Sequence, residues 1–269
     1  MEFVNDSFIS TTKYNNKSIL CWYFDELELK STPSFKAGIP NSLEKKFRTD
    51  GAQYIINLAK SLKLKYDTFA TAVTYFHRFY MFHSFTDSPK YVTATCCLML
   101  AGKVEETPKK IRDIFKKAQE LLDHDELRYF HPDPKEVLVT YEKILLKTIK
   151  FDLAVSHPYS HLLTFAKMIK CPQNQTWGFI NDSLSTTLCL QWEPEIIACS
   201  VLYLGTKINK FVINDWENRK QGTNWWESFV EDISDKLIEE ICHQILDIYS
   251  VDDASLLTAN SSIDLKRNH

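Results

Sequence analysis

The sequence predicts an all-α fold of two helical bundles in tandem, and three observations predict it. Glycine and proline together make up 15 of the 269 residues, about half the usual share, so the chain lacks the turn punctuation that many short strands need. Apolar residues recur at three- and four-residue spacing over long stretches, the period of a buried helix face. The stretch 91–104 also repeats 104 positions later: Ala94/Ala198, Leu98/Leu202, Leu100/Leu204 and Lys103/Lys207 are identical, and Pro89 and Pro194 precede the two copies. A length of 269 suits two compact units.

The elements follow in order. Residues 1–40 are polar, with an aromatic knot at Cys21, Trp22, Tyr23 and Phe24 that docks an N-terminal arm onto the body. The first unit, 41–153, opens with a helix from Ser42 to about Leu64, whose buried face is Leu43, Phe47, Tyr54, Ile55, Leu58 and Leu62. Asp67 or Thr68 caps the next helix, 68–83. Phe69, Ala72, Val73, Tyr75, Phe76, Phe79, Tyr80 and Phe82 make it apolar nearly all round, so other helices must wrap it. Ser88 and Pro89 read as N-cap and first residue of a third helix, Lys90 to about Glu106, closed before Pro108. A basic amphipathic stretch follows from Lys109 to about Leu122, where Lys109, Lys110, Arg112, Lys116 and Lys117 read as a solvated face. Asp133, Pro134 and Glu136 read as a capping box opening a fifth helix that ends near Lys150. The second unit, 154–250, starts with Pro158 at a first helical position and runs through segments at about 158–169, 176–190, 194–208 and 225–249; 251–269 is a polar tail.

Composition narrows the chemistry. A net charge of −3, with 32 basic against 35 acidic residues, disfavours nonspecific nucleic-acid binding. The closest two of the six glycines are Gly38 and Gly51, too far apart for a phosphate loop, a dinucleotide fingerprint or a nucleophile elbow. Seven cysteines without CxxC spacing suggest neither disulfides nor zinc and fit a reducing compartment; Cys96 and Cys97 read as small apolar fillers. His157 and His161 lie four apart with no third ligand, so no metal or cofactor is expected. With neither a signal peptide nor a long apolar run, the chain reads as soluble and intracellular. It reads as a non-enzyme.

Three stretches say more than periodicity does. YFHRFYMFHSF (75–85), YVTATCCLMLAGKVEETPKKIRDI (91–114) and YEKILLKTIKFDLAVSHPY (141–159) resemble cyclins of the transcriptional class. The resemblance implies two tandem five-helix cyclin boxes. It also implies a nuclear regulatory subunit that binds and activates a cyclin-dependent kinase acting on the RNA polymerase II C-terminal domain, in support of elongation. In that family a lysine ending the third helix and a glutamate of the fifth bind backbone groups around the kinase αC helix, and the matching positions are Lys103 and Glu142. The matching apolar contacts are Leu100, Val104, Leu146, Phe151 and Leu153, in helix-in-groove docking. Without the family, Lys103 and Glu142 would read as solvated, and Phe151 and Leu153 as core residues at a helix exit. Cell-cycle cyclins carry Met-Arg-Ala-Ile-Leu on the first helix; Phe47, Arg48, Thr49, Asp50 and Gly51 stand there instead, and Asp50 and Gly51 remove the apolar floor. The alternative is a tandem-cyclin-fold transcription factor that binds DNA, like the core of transcription factor IIB; its basic face is opposed by a pI near 6.3.

Overall fold

The computed structural model describes residues 22–172, 176–213, 216, 219, 222–231 and 233–264, with side chains described through 249. Residues 1–21, including Cys21 of the aromatic knot, lie outside them, as do all the side chains of the expected polar tail, 251–269. The described residues are helical, with no strand: α1 (Glu26–Lys30), α2 (Pro33–Lys36), α3 (Asn41–Ser61), α4 (Tyr66–Phe79), α5 (Lys90–Val104), α6 (Ile111–Gln119), α7 (His124–Leu127), α8 (Pro134–Thr148), α9 (Pro158–Met168), α10 (Trp177–Ser183), α11 (Pro194–Ile208) and α12 (Asp235–Asp264). None of these helices is long and apolar enough to cross a membrane.

α4 is the axis of the first bundle. Every residue from Thr68 to Tyr80 is buried, and α3, α5 and α8 pack around it. The apolar circumference leaves no face for water, so the helix is stable only when wrapped. α5 and α11 are both 15 residues long and lie 104 positions apart, the spacing of the sequence repeat.

Several boundaries differ from the sequence reading, each for a local reason. α4 starts at Tyr66, before Asp67 and Thr68, because Thr68 spends its hydroxyl on Thr107 (2.9 Å) instead of capping. Pro89 is itself the N-cap of α5, its carbonyl accepting from the Thr93 N–H, while the Ser88 carbonyl accepts from the Tyr80 hydroxyl. Asp133 caps α8 through the Lys135 N–H, one position earlier than a capping box uses. The expected 176–190 helix breaks after Ser183 and resumes as a 3₁₀ turn at Leu188–Leu190. Between them Thr186 Oγ1 donates to the Ser183 carbonyl and accepts from the Leu188 N–H, so a side chain competes with the helical ladder. The expected 225–249 segment opens as a 3₁₀ turn, Trp225–Ser228, and α12 begins at Asp235. Leu43, expected on the buried face of α3, is exposed, as is Phe82.

The two bundles are stitched together by polar contacts. His77 Nε2–H donates to the Leu184 carbonyl (2.9 Å), the Thr49 hydroxyl donates to the Ser185 carbonyl (3.1 Å), and Lys45 pairs with Asp247 (3.3 Å). Of the expected knot, Trp22 and Phe24 dock, while Tyr23 is exposed and Cys21 lies outside the described residues. Trp22 is buried, its ring edge-on to Phe82 and under the Arg78 guanidinium, and the Phe24 N–H reaches the Leu190 carbonyl in the second bundle.

Candidate functional site

α5 runs through the core and surfaces at its C-terminal end, where Lys103 is the first exposed residue after an eleven-residue buried run, Val92–Gly102. α8 packs alongside and brings Glu142 against it. Lys103 Nζ lies 2.6 and 2.8 Å from the two Glu142 carboxylate oxygens, with the lysine side chain about half exposed and the glutamate 14% exposed. The two residues thus touch each other and form one charged point. An ammonium has three N–H donors and a carboxylate about four acceptor sites, so the pair retains capacity for a further partner without separating.

The apolar candidates divide by burial. Leu100, one turn before Lys103, is 4% exposed and belongs to the core. Val104, Leu146 and Leu153 are half-buried and pack against it. Phe151 is 67% exposed, so the core position it would ordinarily take at a helix exit is not the one it occupies. Its backbone is left-handed, φ 58°, directly after Lys150 at φ 54°. α8 ends in a Schellman cap, with Lys150 N–H bonded to the Lys147 carbonyl and Phe151 N–H to the Leu146 carbonyl. That cap turns the chain so that a large aromatic ring projects into solvent beside α8.

Three supporting groups escaped the sequence reading. The Tyr75 hydroxyl, from α4, donates to the Leu153 carbonyl at 2.7 Å. Trp22 Nε1–H donates to Asp152 Oδ2 at 2.7 Å. Arg48, in the stretch compared with the cell-cycle patch, is buried; it pairs with Glu44 and donates to the His77 and Tyr80 carbonyls at the end of α4. The i,i+4 spacing of Glu44 and Arg48 is a visible signal, although nothing in it shows that the pair is buried. In the same stretch Gly51 faces inward against Phe76, and Asp50 pairs with Lys90 at 2.9 Å. Gly51 is therefore an interior packing position and forms no part of a surface floor. His157 is committed too: the single Thr71 hydroxyl hydrogen goes to Glu105, so His157 Nε2–H must donate to Thr71 Oγ1, at 2.8 Å.

A family model described as the cyclin N-terminal domain matches residues 19–154, and one described as the Cyclin-T2-like C-terminal domain matches 157–248. The chain belongs to the cyclin family. Among curated relatives, Cyclin-K of Homo sapiens is 52% identical over 237 residues, covering 86% of this chain and 41% of the relative. Cyclin-K of Danio rerio is 50% identical over 253 residues, covering 91% and 59%. Cyclin-T1 of Homo sapiens is 32% identical, covering 88% and 33%. The chain thus spans between about two fifths and three fifths of the length of the Cyclin-K relatives. Among solved structures, a chain of the yeast RNA Pol II CTD kinase CTDK-1 complex superposes with a TM-score of 0.64 at 20% identity, covering 84% of this chain and 72% of that one. A chain of the yeast TFIIK complex gives 0.63 at 18%, covering 83% and 96%. At those identities the superpositions show a shared fold: two cyclin domains in tandem.

Proposed function

We propose that this cyclin is the regulatory subunit of a cyclin-dependent kinase, and that it docks the kinase αC helix at the end of α5 through Lys103, Glu142, Val104, Leu146, Phe151 and Leu153, with Leu100 backing them from the core. The observation that carries the reading is Phe151, an exposed aromatic held in left-handed backbone on the bundle that bears the Lys103–Glu142 pair. A bulky residue is placed in that conformation at a cost of about 1–2 kcal/mol, and no burial among the described residues offsets it. Helix ends carry orphan N–H and C=O groups, which an ammonium and a carboxylate in contact suit well.

The chemistry belongs to the partner. A kinase needs its αC glutamate on the β3 lysine and its Asp-Phe-Gly aspartate on magnesium, and a subunit gripping αC favours that arrangement. Turning a 1:99 population into 99:1 takes about 5.5 kcal/mol of differential binding, within reach of one buried aromatic, several aliphatic contacts and a charged pair acting together. The identity to Cyclin-K, and the kinase complexes in which the superposed yeast chains reside, support a transcriptional partner, phosphorylation of the RNA polymerase II C-terminal domain, a role in elongation and a nuclear location.

The test is capture of the kinase from nuclear extract by the full chain, with the bound kinase identified by mass spectrometry. Lys103→Ala combined with Glu142→Lys abolishes capture while the helical melt stays within about 2 °C, because an ion pair open to solvent at its lysine contributes little to folding. Undiminished capture by that variant overturns the docking assignment.

A further inference from the structure

The turn that presents Phe151 is pinned from both sides by groups distant in sequence. Lys150 and Phe151 are consecutive left-handed residues, and neither is glycine. The Schellman bonds close the turn behind Phe151, and the Asp152 N–H returns to the Ile149 carbonyl at 2.9 Å. Beyond it the Leu153 carbonyl is held by the buried Tyr75 hydroxyl. The Asp152 carboxylate is held by the Trp22 indole, which comes from 130 residues earlier.

Trp22 is itself fixed. Its ring is 7% exposed, stands edge-on to Phe82 at 6.0 Å and lies 4.7 Å from the Arg78 guanidinium carbon. Arg78 is buried, and its Nε and Nη1 reach no acceptor among the described residues, so its face-on contact with the indole is a principal local interaction of that cation. Two residues on, the Phe24 N–H is bonded to the Leu190 carbonyl of the second bundle. The segment Trp22–Phe24 therefore touches the first bundle, the connection between bundles and the second bundle.

The geometry points to Trp22 as a positioning residue for kinase docking: the segment Trp22–Phe24 is a strap whose indole N–H, through Asp152, holds the left-handed turn that projects Phe151. This inference rests on the docking role proposed for Phe151, and its test separates the two. Trp22→Phe keeps an apolar ring but removes the N–H donor together with part of the buried ring, whereas Asp152→Ala removes the acceptor and leaves the indole packing in place. In the full chain, amide hydrogen exchange at Phe151 and Asp152 is expected to rise about tenfold in either variant, with protection in α4 unchanged. Capture of the kinase identified with the wild-type chain is expected to weaken about fivefold, the equivalent of one lost hydrogen bond. In a Phe151→Ala background, Trp22→Phe adds no further loss, because the strap acts through that ring.

Unchanged exchange at Phe151 and Asp152 overturns the strap whatever the kinase does. Raised exchange with undiminished capture by Trp22→Phe overturns it as well, provided Phe151→Ala weakens capture. If Phe151→Ala leaves capture intact, the docking reading fails and the strap has nothing to position. A Trp22→Phe loss that adds in full to that of Phe151→Ala places the effect elsewhere in the arm and rejects this account. Should Trp22→Phe lower the melting temperature by more than a few degrees, Asp152→Ala, which leaves the indole packed, reproduces the exchange change if the strap is right and not if the loss is one of packing.

Discussion

Phe151 and Gly51 show how differently single residues are used in this molecule. About two thirds of Phe151 faces solvent. Burying such a ring is worth roughly 1.5–3 kcal/mol. Phe151→Ala is therefore expected to weaken kinase capture tenfold or more and leave the melting temperature within about 2 °C, as titration of capture and circular dichroism would show. Gly51 is the reverse case. A Cβ there would stand 2.1 Å from Phe76 Cζ, and the Phe76 ring is fully buried, edge-on to Tyr80 and tilted against Phe85. Gly51→Ala is expected to cost about 1–3 kcal/mol in chemical denaturation, because the ring has no room to move. Gly178, with nothing within 4 Å of its added Cβ, is the control: Gly178→Ala gains up to about 1 kcal/mol of helix propensity. A sequence shows two glycines in helices, and only the packing distinguishes them.

Helix ends explain why element boundaries were harder to read than helix interiors. α3, α5, α8, α9 and α11 all end with a left-handed residue closed by a bond from the next N–H to the carbonyl five residues back. The left-handed residues are Lys63, Glu106, Lys150, Lys170 and Lys210. Glycine is the usual occupant, and its absence removes the stop signal a reader relies on. Four of the five are lysines, whose charge suits the negative end of a helix dipole and offsets part of the strain. Lys63→Gly is expected to stabilise by about 1 kcal/mol, a rise of about 2–4 °C in melting temperature, while Lys63→Ala leaves the strain in place and raises nothing. The long interiors posed no such difficulty: Tyr54, Ile55 and Leu58 of α3, and all of α4 from Thr68 onward, are buried as their spacing predicts.

At the scale of the whole molecule, two neutral histidines stand where the bundles meet. Burial, with the nearby Arg48 charge, lowers the His77 pKa to about 3; burial, with Arg78, lowers that of His157 to about 4. In the unfolded chain both bind a proton near pH 6.5, so below that pH the unfolded state holds more protons than the folded one. Their contribution to stability is thus complete above pH 6.5 and is lost as the pH falls toward 4 and then 3, at up to about 1.4 kcal/mol per pH unit for each histidine. Denaturation midpoints measured between pH 7 and 5 should fall accordingly, and His157→Gln, which keeps a donor for Thr71 and does not titrate, should reduce the slope by about half. A pH-independent midpoint over that range would rule out this assignment.

The sequence by itself determined the helical class and the buried central helix, because each is written in the spacing of residues along one segment; the register of α5 against α11 and the cyclin resemblance are carried by the residues of particular stretches. The tertiary structure alone decided that Lys103 and Glu142 hold each other across 39 residues, that Phe151 points outward, that Arg48 closes the end of α4, and that Trp22 reaches Asp152. Periodicity says which side of a helix avoids water; which polar atom meets which depends on how several helices cross, and that is a property of the packed assembly, to which no single segment holds the key.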